Sequence, residues 1–367
     1  MTPFIHCKKT STTSPYRYTY AGLHFSNQYS AEENQKNNTQ PEIPIIRKTS
    51  NPNKHKRLLV LLTTIFLLTI TLLTIAYVVS STPNMPPEAY HDDLVLYALE
   101  LINQDRTEHG LSNITLSTIN SGQLHAEDML NNNYFSHWNK DGHTPDMRYT
   151  LSGGQGAVTE NIAYSTGITN RDFYNKAKTA LERLQYLMMY DDAEWDWGHR
   201  DNILNPIHNK VSIGIAYKDQ CIYIVQDFED TYITWDTLDV SDPNQITLSG
   251  TTSKLDLILT SLFVFYSNPG PLTVEQLENS PYNGSYNPGV LIASVVPPAR
   301  TGYYYNWNNY PLDGIEANIW NQNNTNFQIS FSLTKTINNH QKGIYTLYLL
   351  TDSNTTDTLF TYSIWIT

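Results

Sequence analysis

Three short segments of this chain concentrate side chains that could do chemistry. They are YFSHWNKDGHTP (134–145), TENIAYS (159–165) and WGHRDNILNP (197–206). Their histidines and acids are the groups that titrate or coordinate near neutral pH. Two neutral imidazoles with carboxylates nearby can hold a divalent metal such as zinc. Without metal, a carboxylate can orient an imidazole that then works as a general base. A nucleophile is missing from the pattern. There is no G-x-S-x-G and no H-E-x-x-H, and Cys221 lies in a strand-like run. A hydrolase built on these segments would have to use activated water. Two histidines alone hold zinc loosely, because durable sites take three or four protein ligands.

Plainer readings stand beside these. A histidine next to aromatic residues is more often packed or hydrogen-bonded than a ligand. His125, on a predicted helix, reads as structural. Asp141 and His143 read as turn residues. Arg200 and Asn202 read as hydrogen-bonding loop backbone, and Trp195 and Trp197 as core or rim packing.

The elements that must position these segments follow from the rest of the chain. Its 367 residues suggest more than one module. Residues 58–79 read LLVLLTTIFLLTITLLTIAYVV without a charge. As a helix they would span roughly 33 Å, enough to cross a bilayer as a single-pass anchor. Residues 1–57 carry nine Lys or Arg against three Asp or Glu, a net of +6; the remainder carries 14 against 32, a net of −18. The basic side is expected to be cytoplasmic and the C-terminal part extracellular, which places the chain in the cell membrane. An acidic exterior argues against nucleic acid as a partner. Cys7 and Cys221 would then lie on opposite sides of the membrane, so no disulfide framework is expected.

Residues 1–57 are polar and aperiodic and read as a disordered tail. Residues 80–90 read as a Pro-rich linker. Helical spacing predicts helices over 91–110, 117–132 and 171–190, and VSIGIAY (211–217) and CIYIVQDF (221–228) read as strands. Helices followed by strands predict an α+β domain over 91–240. From 244 to 367 the pattern alternates with period two. Phe327, Ile329, Phe331 and Leu333 share one register, as do Phe360, Tyr362, Ile364 and Ile366. This predicts a separable antiparallel β-sandwich of Ig-like type, with DVSDPNQ (239–245) as the linker.

In order and spacing, LINQDRTEHGL (101–111), LHAEDM (124–129), YFSH, ENIA and WGHRDNIL resemble the CAP superfamily. This is the SCP-domain family of cysteine-rich secretory, antigen 5 and pathogenesis-related proteins. The resemblance covers roughly 91–230 and is nearest to the disulfide-free prokaryotic branch. It implies an α-β-α sandwich with a cleft into which two histidines and two acids point. Carried over, these are His137, Glu160, His199 and either Asp191 or Asp192. The resemblance leaves that last choice open, since methionine stands where a tryptophan usually precedes the acid. Thr159 stands where glycine is usual. His137 and His199 are the candidate zinc ligands.

The expected function is a membrane-anchored surface binding module. Its cleft would take a small apolar or lipid-like ligand, a peptide or a metal. The alternatives are a His/Glu-based or metal-dependent hydrolase or peptidase, and a structural or adhesive protein contacting an envelope component.

Overall fold

A computed structural model describes residues 52–81, 86–254, 257–307, 311–352 and 358–367. The tail expected over 1–57 falls almost wholly outside them, as does Cys7. The chain divides into two units, one covering 8–84 and the other built from 85–367.

In the first unit, helix α1 spans Pro52–Ser81. Leu59, Leu62, Ile65, Phe66 and Leu68 are all exposed on this helix. Its threonines turn their hydroxyls back onto the helix: Thr63 Oγ1 donates to Leu59 O at 3.0 Å and Thr71 Oγ1 to Leu67 O at 2.9 Å. Among the described residues, no helix is long and apolar enough to cross a membrane. The side chains of residues 58, 73 and 75–81 lie outside the described ones, so the expectation of a span over 58–79 falls partly there.

In the second unit, α2 (His91–Glu108), β1 (Thr115–Leu116), α3 (Ser121–Asn132), α4 (Pro145–Leu151), β2 (Ala157–Thr166), α5 (Phe173–Tyr190), α6 (Gly198–Ile203), β3 (Lys210–Lys218) and β4 (Cys221–Asp230) make the first layered body. The strands form one sheet in the order β1-β3-β4-β2. Strand alternation divides the core. Val211, Ile213, Ile215, Ile222, Ile224 and Phe228 face the apolar sides of α2 and α5. Ala216, Tyr223 and Val225 face α3 through Ala126 and Met129. The central strand β4 is buried along its whole length. Helix α3 lies so close to β3 that a Cβ on Gly214 would sit 2.1 Å from Gly122 O. Only glycine permits that approach.

The order of elements from β5 onward is β5 (Ile233–Asp239), β6 (Ile246–Thr252), β7 (Leu259–Ser267), α7 (Val274–Leu277), β8 (Val290–Val296), β9 (Asp313–Glu316), β10 (Ile319–Asn323), β11 (Asn326–Phe331), α8 (Thr334–His340), β12 (Gly343–Thr351) and β13 (Thr358–Ile366). They form two sheets, β10-β11-β6-β5 and β13-β12-β7-β8-β9. One core fills the space between them, including Leu248, Phe327, Ile329 and Phe331 from one sheet and Leu262, Leu347 and Phe360 from the other. All strand pairs are antiparallel except β8 with β9, which is parallel.

Two features depart from the expected organisation. β5 lies within the range 91–240 yet pairs with β6 in the second body. DVSDPNQ is therefore the loop between two strands of one sheet and not an interdomain linker. Its acids close local turns, with Asp239 accepting from Ser241 N at 3.1 Å and Asp242 from Asn244 N at 2.9 Å. The boundary falls between β4 and β5. The second departure is the excursion 268–289 between β7 and β8, which returns to the first body. Leu272 and Leu277 are buried in the core beneath α3, and Leu272 N donates to Lys140 O at 2.7 Å. β13 adds to the seam: Thr361 N donates to Gly156 O at 3.0 Å and Ser363 N to Thr150 Oγ1 at 3.1 Å. The polar register of LFTYSIWIT is buried against the first body, which its alternation alone does not reveal.

Leu277 thus sits in a core built mainly from α3, β2, β3 and β4. Leu277→Ala should destabilise the first body by about 2–5 kcal/mol. In thermal or urea unfolding the transition reported by α-helical circular dichroism should shift down. An unshifted helical transition would mean the two bodies unfold independently.

Candidate functional site

The site lies around the free edge of β2. Alternation along this strand sends Glu160 and Ile162 to the α3 side and Thr159 and Asn161 to the α5 side. Each face carries one histidine–carboxylate pair, and both pairs line a single cleft of about 610 Å³.

On the α3 side, His137 follows helix α3 through a left-handed Asn133 (φ 55°). Its Nδ1 lies 2.8 Å from Glu160 Oε1. The loop is pinned on both flanks. His125 Nε2 bonds Ser136 O at 2.9 Å, and Arg148 Nη1 donates to His137 O at 2.6 Å and His143 O at 3.0 Å. Arg148 also donates to Glu160 Oε2. Burial pushes the Glu160 carboxyl up, and the Arg148 guanidinium pulls it back. Asp227 is its cross-strand neighbour on β4 and takes a 2.5 Å hydrogen bond from Ser121 Oγ. Burial, and then the charge of Glu160, push Asp227 well above the usual carboxylate range. Burial, and then Arg148, lower His137 to about 3. Burial thus disfavours charge on His137 and Asp227, while the Arg148 guanidinium favours charge on Glu160. A buried pair balanced in this way avoids an uncompensated charge.

On the α5 side, His199 opens the short helix α6. The chain enters through left-handed Asp196 (φ 55°) and Trp197 (φ 64°). Asp192 fixes the start of that helix: its Oδ2 accepts from His199 N at 2.9 Å and Arg200 N at 3.2 Å. Its Oδ1 lies 2.6 Å from His199 Nδ1. Asp192 is only 1% exposed, whereas Asp191 is exposed on the cleft margin. The geometry therefore places Asp192 as the fourth member and leaves Asp191 at the rim.

Both imidazoles have Nδ1 against a carboxylate, so Nδ1 carries the proton and Nε2 the lone pair. Neither Nε2 has a hydrogen-bond partner among the described residues. The carboxylates are occupied in orienting the rings. An ion shared by the pair would be offered two nitrogens, fewer than durable zinc sites use. Among the described residues, no group of three or more His, Cys, Asp or Glu side chains could hold a metal.

Most plainer readings agree with the structure. His125 is buried and bonded to backbone, although its Nε2 comes within 4.0 Å of Glu160 Oε1. Asn202 Nδ2 donates to Asn161 Oδ1 at 2.9 Å and to Glu160 O at 3.4 Å. Trp195 lines the cleft mouth. Arg200 differs from expectation: its guanidinium lies over the Trp197 ring at 5.5 Å.

Sequence reasoning missed Arg148, Asp227 and Tyr286. An acid inside the otherwise apolar run CIYIVQDF was the available signal for Asp227. Tyr286 had none, since it comes from the excursion 268–289. Its ring lies 5.0 Å from that of His137, and its hydroxyl accepts from Glu160 N at 3.2 Å.

The family model for the cysteine-rich secretory protein family, CAP, matches residues 99–228. That interval holds both histidine–carboxylate pairs and the sheet between them. Residues 99–228 are a CAP domain. Solved structures similar to the chain include an outer surface protein from Borrelia burgdorferi (14% identical, TM-score 0.28, covering 38% of this chain and 92% of that one). Another is the CAP domain of Enterococcal PrgA (13% identical, TM-score 0.27, covering 37% of this chain and 59% of that one). No curated protein matches the chain. In this CAP domain the Asn103–Arg106 motif has a clear task. Arg106, fully buried, donates to Ser112 O, Ile203 O, Asn205 O and His208 O, and so ties α2 to the loop after α6.

Two measurements check this assignment. Asp192→Ala removes three hydrogen bonds at the start of α6 and should cost about 1–3 kcal/mol, while Asp191→Ala should stay within about 0.5 kcal/mol. Equal losses in thermal melts would undo the choice of Asp192. The second concerns pH. Unfolded His137 titrates near 6.5, whereas the folded group stays neutral down to about 3. Between those values the unfolded chain binds a proton that the folded chain refuses, so this contribution is present above pH 6.5 and is lost as pH falls. His137→Asn keeps an N–H for Glu160 but does not titrate. Relative to that variant, the parent should lose up to about 1.4 kcal/mol per pH unit below 6.5. Parallel urea curves at pH 7.5 and pH 5 in both proteins would reveal it; a constant difference would contradict a buried neutral His137.

Proposed function

We propose that this chain is a membrane-anchored cell-surface protein whose CAP cleft binds a small apolar or lipid-like ligand. The observation that carries the reading is the make-up of the cleft. Its lining combines the apolar side chains of Phe135, Ile162, Leu184, Leu187 and Met188 with the polar groups of His137, Glu160, His199 and Asp192. An apolar body with a few fixed polar groups is the usual form of a small-molecule site. The Nε2 of each histidine would accept a hydrogen bond from the ligand's polar end or contribute to weak zinc binding. The anchor rests on the uncharged run 58–79 and on the charge split around it. In this reading the tail is cytoplasmic and the CAP domain and sandwich are extracellular.

A second reading, hydrolysis, is favoured by the orientation of the two imidazoles. Each is held by a carboxylate in the tautomer a general base needs.

The full chain should fractionate with membranes and, extracted in a mild detergent, carry a co-purifying apolar molecule detectable by mass spectrometry. Leu184→Arg, in the cleft wall, should release that molecule. Recovery in the soluble fraction would remove the anchor. Equal ligand content in parent and Leu184→Arg would remove the cleft as its site.

A further inference from the structure

The sequence contains no nucleophile motif, but the fold assembles the parts of one beside the cleft. Thr159 Oγ1 lies 3.2 Å from His208 Nε2, and His208 Nδ1 lies 2.8 Å from Asp230 Oδ1. Asp230 accepts only, so Nδ1 carries the proton and Nε2 faces the threonine hydroxyl as an acceptor. This is the order nucleophile, base, orienting acid, at distances that suit proton transfer. We propose that Thr159, His208 and Asp230 form an acyl-transfer site acting on a carboxylic ester held in the CAP cleft.

The three residues come from separate elements and are held firmly. Thr159 is on β2 and lines the cleft. His208 sits in the loop before β3, buried, with its ring stacked on Phe228 at 5.4 Å and 19°. Arg106 Nη2 donates to His208 O at 3.3 Å, which fixes that loop from α2. Asp230 ends β4. The pair His137–Glu160 uses the other face of β2 and takes no part. The N–H of Glu160, the residue after Thr159, points to Tyr286 Oη at 3.2 Å.

The reaction balances with water as the only co-reactant. Thr159 Oγ1 attacks the ester carbonyl carbon, and its proton passes to His208 Nε2. The tetrahedral intermediate collapses, the bond to the alcohol oxygen breaks, and that oxygen leaves with the proton from His208. Water then attacks the acyl-threonine and gives a proton to His208. The threonine oxygen departs, recovers that proton, and a carboxylic acid is released. The apolar lining residues Phe135, Leu184 and Met188 suit an apolar acyl group.

The inference rests on the hydrolytic reading of the cleft, and its test is separate from ligand retention. The full chain, in mild detergent at about pH 7.5, is treated with an alkyl fluorophosphonate. Attack forms an Oγ1–P bond and expels fluoride. Peptide mass spectrometry should place the adduct on Thr159. Thr159→Val should abolish it, Thr159→Ser should keep it, and His208→Gln should slow it at least about 100-fold, the lower range of general-base assistance. Absence of an adduct on Thr159 in the parent, or equal labelling rates in parent and His208→Gln, would overturn the proposal. Co-purification of an apolar ligand in the same preparation without any adduct would leave the binding reading standing and remove the triad.

Discussion

A carboxylate buried at the edge of a sheet is the constraint on which the rest of this site depends. Glu160 has almost no contact with solvent, and ionising it there is costly unless a partner is fixed beside it. Arg148 is that partner, and its position decides several others. The same guanidinium holds His137 O and His143 O, so it shapes the loop that carries the first histidine. Its charge also opposes protonation of His137. Asp227, placed next to Glu160 by the β2–β4 register, is pushed up by burial and then by the charge of Glu160. One ion pair therefore adds to the burial that shifts a histidine and a neighbouring acid, and it fixes the path of a loop.

The edge strand β2 supplies the second constraint. Because β2 has a free edge, one cleft can reach side chains on both of its faces. Glu160 with His137 lies on one, and Asn161 with the His199 segment on the other, where Asn161 Nδ2 donates to His199 O at 3.0 Å. An interior strand would have kept the two pairs in separate compartments. The free edge also leaves the Glu160 N–H without a ladder partner, and the second body meets that need through Tyr286. The excursion between β7 and β8 is thus part of the cleft wall as well as part of the core under α3. Asp146, buried and raised to about 6, receives the Tyr348 hydroxyl at 2.9 Å, which adds a polar link across the same seam.

Much of this was legible in the sequence, for local reasons. Helical spacing located α2, α3 and α5 within a few residues, since the apolar stripe that makes a helix pack is written in its periodicity. Alternation located β11 and β13, and continuous apolar runs located β3 and β4. The motif order identified the CAP domain together with His137, Glu160 and His199. Charge and hydropathy around 58–79 carried the expectation of an anchor, which no tertiary contact was needed to state.

Other properties depended on three-dimensional proximity, which no local pattern encodes. Asp191 and Asp192 are adjacent in sequence and alike in chemistry. They separate only because the turn through Asp196 and Trp197 brings the start of α6 back onto one carboxylate. Arg148 looked like an ordinary residue of a short helix until the fold set it against Glu160. DVSDPNQ has the composition of a linker, yet strand pairing made it a hairpin loop. Thr159, His208 and Asp230 carry no signal where they stand in the chain, and sheet register and the Arg106 anchor bring them together. The sequence by itself determined the elements, the charge asymmetry and the CAP signature, because these depend on near neighbours along the chain. The protonation states, the choice of acid, the shared core and the partners around β2 were decided by tertiary structure, because burial and hydrogen bonding depend on residues far away in sequence.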